Sequence, residues 1–280
     1  MQKKLAIIND IAGYGRCAMT VLLPIISYMG VQACPLLTSV FSSNTAFPDF
    51  FMDDYTDRME SYLESWEKIG LKHKFDGIST GYLGSVRQIE IVKRFVREFS
   101  REDTLVIVDP VMGDHGRLYS AYTVELCTEL RKLVALADIV TPNLTEACHL
   151  ADMPYKEKGW KRKELFDLAD RLAALGPSHV VITGIPQGEY LANYVFVKEK
   201  QEKPITRLIR IHRAGEERCS TGDVFTAIVA ADAVNGVPFD RSVKKAAGFV
   251  KQCVEEAVKL ETPPAEGVPF ETVLHRLKRG

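Results

Sequence analysis

The chain has 280 residues, 46% of them hydrophobic and 26% charged, a composition ordinary for a soluble globular protein and long enough for one large α/β domain with a full core. Lys and Arg number 36 against 37 Asp and Glu, a net charge of −1, so no global field draws the chain to nucleic acid or to an anionic membrane. The longest apolar runs, such as 21–26, are too short to cross a bilayer, and the start runs straight into a short strand, so a signal peptide is not expected and the reading is cytoplasmic.

In chain order, residues 5–8 read as a short apolar strand ended by Asn9-Asp10, 18–29 as a helix, 31–41 as an extended run, 55–68 as an amphipathic helix and 77–80 as a short strand. Over 85–99 the apolar residues Val86, Ile89, Val92, Phe95, Val96 and Phe99 recur at helical spacing, with Ser85-x-x-Gln88 as cap. A continuous apolar strand at 104–108 ends in Asp109-Pro110, a helix at 122–134 follows, and Pro142 stops a strand at 139–141. Helices at 144–151 and 162–175 precede a buried strand at 179–183. Two β-rich runs, 190–198 and 205–212, surround the charged turn Glu199-Lys200-Gln201-Glu202-Lys203, the pattern of a hairpin with an exposed tip. Helices at 221–234 and 241–259 and a short tail helix close the chain.

Short buried strands alternating with helices predict a mostly parallel sheet covered on both faces. There is no repeat, low-complexity segment or obvious linker, so residues 1–280 read as a single domain. Ligands of such folds lie beyond the carboxyl ends of the strands. Asp10, Gly81-Tyr82, Asp109-Pro110, Asn143 and Gly184 all follow predicted strands and should gather on one rim. The six cysteines are scattered, without zinc spacing, and read as reduced thiols; Cys219 adjoins the most informative segment of the chain.

That segment is Cys219-Ser220-Thr221-Gly222-Asp223-Val224-Phe225, a carboxylate one residue after a glycine at the start of an apolar helix. Unpaired N–H groups at a helix N-terminus attract anions such as phosphate. A carboxylate in the same turn is placed to take a proton from an alcohol while those groups hold a phosphoryl group. Ser220-x-x-Asp223 also fits a capping box, a purely structural role. The run from Asp109 to Tyr119 follows a buried strand and holds two Asp, two Gly, His and Arg, a composition for a loop that folds over substrate and holds Mg²⁺ through water, or for a surface turn. Asn143-x-x-Glu146 is a helix cap by itself, but its acid should face the same rim as Asp109, Asp114 and Asp223.

Two other patterns carry less. Gly13-x-Gly15-x-x-Ala18 matches the dinucleotide fingerprint but lacks the acid expected at the end of the second strand. Gly77-x-Ser79-x-Gly81 matches the nucleophile elbow of serine hydrolases, and neither His212 nor His275 has a distinctive context. No P-loop pattern is present.

With Phe41-Ser-Ser-Asn-Thr45, Thr80-Gly-Tyr82, Asp109-Pro-Val-Met-Gly-Asp114, Thr141-Pro-Asn143-x-x-Glu146, Val181-Ile-Thr183-Gly184 and Ser220-Thr-Gly-Asp223 in this order, the chain resembles the pyridoxal kinase branch of the ribokinase-like superfamily over nearly its whole length. The resemblance implies a three-layer sandwich, a mostly parallel central sheet with helices on both faces. It implies Mg-ATP-dependent phosphorylation of the hydroxymethyl group of pyridoxal, pyridoxine or pyridoxamine, with a monovalent cation as a further cofactor and a homodimer as the assembly. Asp223 would be the general base, and the N–H groups around Ser220, Thr221 and Gly222 the anion hole. Asp114 and Glu146 would hold Mg²⁺, largely through water. Asp109, Asn143, Thr183 and Gly184 would contact the nucleotide. Phe41, Thr45 and Tyr82 would line the vitamin ring, and the loop from Gly113 to Tyr119 would be the flap.

Two departures stand out. Ser220 replaces the first glycine of the usual G-T-G-D, which would narrow the approach to phosphate or add a hydroxyl donor. Asp10 stands where the family usually carries a serine, and would pair with a protonated ring nitrogen or an amine, which raises pyridoxamine or hydroxymethylpyrimidine as substrate. Against the latter, hydroxymethylpyrimidine kinases often carry Cys where this chain has Asp223. The rivals are a kinase of another small alcohol and a non-catalytic vitamin or nucleotide binder.

Overall fold

Leu5 and Ile7 pack on one side of the central sheet, and Ala6 and Ile8 on the other. Ile107 and Val181 follow the first pair, while Val106, Val108, Val180 and Ile182 follow the second. This period-two division of wholly apolar strands gives one sheet two cores, as a strand covered on both faces requires.

The computed structural model describes residues 2–120, 122–199 and 202–277. Its elements in order are β1 (Lys4–Ala12), α1 (Met19–Tyr28), β2 (Gln32–Phe41), β3 (Met52–Asp54), α2 (Thr56–Lys68), β4 (Gly77–Thr80), α3 (Val86–Phe99), β5 (Leu105–Val108), β6 (Gly113–Asp114), β7 (Arg117–Leu118), α4 (Val124–Val134), β8 (Ile139–Val140), α5 (Leu144–Ala151), α6 (Arg162–Ala173), β9 (His179–Gln187), β10 (Tyr190–Val197), β11 (Ile205–His212), α7 (Thr221–Val234), α8 (Phe239–Lys259) and the single turn α9 (Phe270–Val273). Nine strands form one sheet in the order β11-β10-β9-β8-β5-β4-β1-β2-β3. The strands from β2 to β9 in that order run parallel; β3 at one edge and the β9-β10-β11 meander at the other are antiparallel. Helices α2 to α6 cover one face, and α1, α7, α8 and α9 the other. The expected three-layer α/β architecture is the one observed. Among the described residues no helix is long and apolar enough to cross a membrane.

Helix α7 lies deepest: Val224, Phe225, Ala227, Ile228, Val229, Ala230 and Ala231 are all buried, with Thr226 and Asp232 beside them, so it is covered around its whole circumference. Its packing between α1, α8 and the sheet leaves only its first turn at the carboxyl rim. The 190–212 hairpin is present as expected; Lys200 and Gln201 of its tip lie outside the described residues.

One strand differs from expectation in a way that matters for the site. Asn9-Asp10 does not end β1, which runs on to Ala12 with an irregularity between Asn9 and Ile11. The Asn9 carboxamide makes this possible, its Oδ1 accepting the N–H groups of Asp10 (3.0 Å) and Tyr82 (2.9 Å) and so satisfying the amides that the bulge releases. The short strands β3, β6 and β7 were not anticipated, because two or three residues carry no alternation to read.

Candidate active site

The Asn9 bridge joins the carboxyl ends of β1 and β4 and sets Asp10 and Tyr82 on the same rim. A Cβ at Gly81 would lie 2.5 Å from Asn9 Nδ2, so this close approach requires glycine. Phe41, at the end of β2, meets Tyr82 edge-on (centroids 6.1 Å apart) and is flanked by Phe50 at 5.8 Å. Tyr82 stands in turn against Tyr122. These rings form an apolar wall beside the buried Asp10 carboxylate. Thr45 lies in the exposed turn that follows Asn44.

The first turn of α7 faces this wall. The capping box that Ser220-x-x-Asp223 permits does not form: Ser220 is in the left-handed region (φ 68°, ψ 0°) and makes no side-chain cap. Its oxygen accepts the N–H of Val268 instead (3.3 Å), on the side of the C-terminal segment. The amides of the first turn, which have no intrahelical acceptor, therefore keep their donors outward. A Cβ at Gly222 would meet no atom within 4 Å, so the approach to this backbone is open. The Asp223 carboxylate is only partly exposed; burial raises its pKa to about 6, opposed by a hydrogen bond from the Ala18 N–H. Ala18 caps α1 at φ 48°, ψ −127°, a conformation an L-residue rarely adopts. This strained amide beside Asp223 was not foreseen from the sequence; the only sign of it was the Gly-rich loop set aside as a dinucleotide fingerprint.

Asp109 follows β5, and its Oδ2 accepts the Thr226 hydroxyl from the second turn of α7 (2.8 Å). The Thr141 and Thr226 hydroxyls are 3.2 Å apart, so the ends of β5 and β8 are coupled to α7. Burial raises Asp109 to about 7, with the charge of Asp223 adding to the effect. Asn143 and Glu146 close a capping box on α5: Glu146 N–H to Asn143 Oδ1 (3.0 Å) and Asn143 N–H to Glu146 Oε2 (2.8 Å). The other Glu146 oxygen accepts the Met112 N–H (3.2 Å), and Asn143 Nδ2 donates to the Gly113 carbonyl (2.8 Å). This cap therefore also anchors the root of the 113–119 flap, which turns back as the β6-β7 hairpin. Gly113 has no alternative there, since its Cβ would come 2.2 Å from the Arg117 carbonyl. Burial, then the charge of Asp109, push Glu146 well above the usual carboxylate range.

Asp114 is exposed on the flap and accepts the His115 N–H (2.8 Å). His115 Nε2 reaches Glu217 Oε2 at 2.8 Å, a link from the flap to the loop before α7 that the sequence did not reveal. Thr183 pairs with Asn143 by a parallel bridge beyond β8, and Gly184 is exposed at φ 69° within β9 rather than after it. Thus Asp10, Tyr82, Asp109, Asn143, Thr183, Gly184 and the head of α7 occupy one rim. Burial and the Asp223 charge lift Asp10 to about 7.

Among the described residues no cluster of three His, Cys, Asp or Glu forms a ready metal cage. Instead the charges of Asp109 and Asp114 add to burial in raising the proton affinity of Glu146 on the rim. Carboxylates that repel one another without enclosing an ion fit a hydrated Mg²⁺ that arrives with nucleotide phosphates. The hydrolase alternative does not survive: Ser79 is fully buried mid-strand in β4, and its neighbour Gly77 abuts Leu5 and Val234.

The profile of the phosphomethylpyrimidine kinase family matches residues 23–266. A pyridoxal kinase of Arabidopsis thaliana is 31% identical over 210 residues, 72% of this chain and 64% of the plant protein. The chain spans between 51% and 65% of the lengths of the first four curated relatives it matches. A Bacteroides thetaiotaomicron VPI-5482 protein, described as a candidate phosphomethylpyrimidine kinase, is 36% identical with a TM-score of 0.94, covering 99% of this chain and 94% of that one. Its second crystal form, with pyridoxal, aligns at a TM-score of 0.91 over 99% of this chain and 96% of that one.

Proposed function

The chain belongs to the phosphomethylpyrimidine kinase family, in the pyridoxal kinase branch of the ribokinase-like superfamily, and from that premise we propose that it transfers the γ-phosphoryl group of ATP to the hydroxymethyl group of a vitamin B6 compound. The observation that carries this reading is the Asp223 carboxylate at the uncapped head of α7, beside Asp10 and the Phe41–Tyr82 wall. In the proposed reaction the substrate hydroxyl loses its proton to Asp223 as its oxygen bonds to the γ-phosphorus, and the bond from that phosphorus to the departing ADP oxygen breaks. A base with a pKa near 6 is ionised at neutral pH yet basic enough to receive this proton. The outward amides of Thr221 and Gly222 stabilise the charge on the transferring oxygens, already oriented before the reaction begins.

Asp10 is placed to meet a ring nitrogen or amine that carries a proton, with Phe41 and Tyr82 against the ring and Thr45 at its edge. Asp109, Asn143, Thr183 and Gly184 are assigned to the nucleotide side. Asp114 and Glu146 would hold Mg²⁺ largely through water, since both Glu146 oxygens already accept backbone amides. The metal, when bound, neutralises phosphate charge; a monovalent cation would add to this. Residues 1–280 are read as a single kinase domain, working as a cytoplasmic homodimer.

The second reading, a hydroxymethylpyrimidine kinase, is favoured by the description of the matching family and by Asp10. The test is ADP and phosphoester production from Mg-ATP with pyridoxal, pyridoxine, pyridoxamine, hydroxymethylpyrimidine, ribose or no acceptor. Turnover confined to the B6 compounds is expected. Preference for hydroxymethylpyrimidine establishes the second reading, and no acceptor-dependent turnover removes both in favour of a binder.

A further inference from the structure

Three of the loops beside the site, around Arg16, Asn44 and Arg218–Ser220, are tied to one stretch of chain distant from them in sequence, residues 262–271. Arg16 N–H donates to the Glu266 carbonyl (3.0 Å), and its Nε to both Glu271 oxygens (2.9 Å). Asn44 Nδ2 donates to the Ala265 carbonyl (3.1 Å), and an Arg218 guanidinium N–H to the Thr262 carbonyl. Gly267 is wedged between the Arg16 loop and α7: a Cβ there would lie 2.6 Å from the Arg16 carbonyl and 2.7 Å from Ser220 Oγ. Val268 is completely buried in the core beneath α7, so the segment cannot lift without opening that core.

Ser220 is the only residue in this set that belongs to the proposed phosphate-binding turn itself. A left-handed backbone with a side chain is disfavoured, which is why glycine is the default at such positions. Here the side chain that makes the conformation costly also holds it, because its oxygen accepts the Val268 N–H from a segment anchored in the core.

We propose that residues 262–271 form a strap that positions the phosphate-binding turn, with Ser220 as the positioning residue through which the strap acts. This rests on the phosphotransferase reading of the site. The Ser220 oxygen fixes the direction in which the Thr221 and Gly222 amides point, while substrate and nucleotide are bound by other residues. Misaimed donors weaken charge stabilisation during transfer more than they weaken ground-state binding, so the effect belongs in kcat rather than KM.

The test compares the wild-type chain with Ser220→Ala and Ser220→Gly. Ser220→Ala keeps the strained backbone and loses the anchor; Ser220→Gly loses both strain and anchor. The expected order of kcat is wild type above Gly above Ala, with Ala down about tenfold, KM for either substrate within about twofold, and the folded fraction unchanged. Equal kcat in all three, Ala at or above Gly, or a loss carried by KM would overturn the proposal. Hydrogen exchange at the Val268 amide supplies a readout that needs no turnover. It should be slow in the wild type and about tenfold faster in Ser220→Ala; equal rates sink the anchor even if the alanine variant is inactive or poorly folded. A wild-type protein that turns over no alcohol would defeat the kinase reading instead, while the exchange experiment would still decide the anchor.

Discussion

Two helices begin on the same rim with nearly the same local pattern, Asn143-x-x-Glu146 at α5 and Ser220-x-x-Asp223 at α7, and they use it in opposite ways. At α5 the first residue is extended (φ −73°, ψ 176°), both reciprocal hydrogen bonds form, and the helix end is closed. At α7 it is left-handed, no cap forms, and the acid is released from the helix end to face the rim. A polar residue followed three positions later by an acid therefore marks a helix start without saying whether that start is sealed or offered to a ligand. The backbone angle of one residue decides, and at α7 a contact from a segment nearly fifty positions away accompanies that angle.

The comparison breaks most sharply at the two acids. Asp223→Asn should lower kcat by roughly 10²–10⁴-fold without unfolding the protein, because a base is lost and a buried charge removed. Near-full vitamin-dependent ADP release by this variant would end the assignment. A smaller effect of the same kind comes from pH. With Asp223 raised to about 6, protonation below that value removes the base, so kcat/KM should fall about fivefold between pH 6 and pH 5. A flat profile to pH 5 would show that the base lies elsewhere.

At the closed helix the loss should appear in stability. Asn143→Ala removes the cap and the tie to Gly113, and should cost about 1 kcal/mol by denaturant titration. No loss would mean that the α5 box is as dispensable as the absent box at α7.

Asp10 sharpens the contrast through linkage. Its folded pKa of about 7 exceeds its ordinary value of 3.8, so between these values the folded state keeps a proton that the unfolded state has released. The resulting stabilisation is complete below the lower value and is lost as pH rises through 7. Thermal unfolding of the ligand-free protein should show a decline in Tm from pH 5 to pH 8 that Asp10→Asn flattens; an unchanged slope would refute the shift. The smallest effect concerns the flap: His115→Gln breaks an exposed contact with Glu217 and should raise acceptor-independent ATP hydrolysis by no more than about fivefold.

Much of the rim was legible in the sequence because strands that are apolar on both faces announce a covered parallel sheet, and polar residues immediately after them must lie at its carboxyl edge. Asp109 and Asn143 were placed in this way, and Asp223 by its position after a glycine at the start of an apolar helix. Ala18 and Thr226 were not, since one acts through a backbone amide and the other through a single hydroxyl inside an apolar helix. The extension of β1 past Asn9 was hidden for a similar reason: a polar pair reads as a strand end unless its partner, the amide of Tyr82, is known to be waiting.

By itself the sequence determined the order of the longer strands and helices, the rim at which the polar residues after the strands gather, and the acid at the head of α7, because periodicity and turn chemistry act over a few neighbouring residues. Only the tertiary structure decided that this head is open, that Asp10 sits inside a bulged strand, and that residues 262–271 hydrogen-bond to the loops around Arg16, Asn44 and Ser220. Those outcomes depend on hydrogen bonds between segments tens to hundreds of positions apart, and no local pattern carries that information.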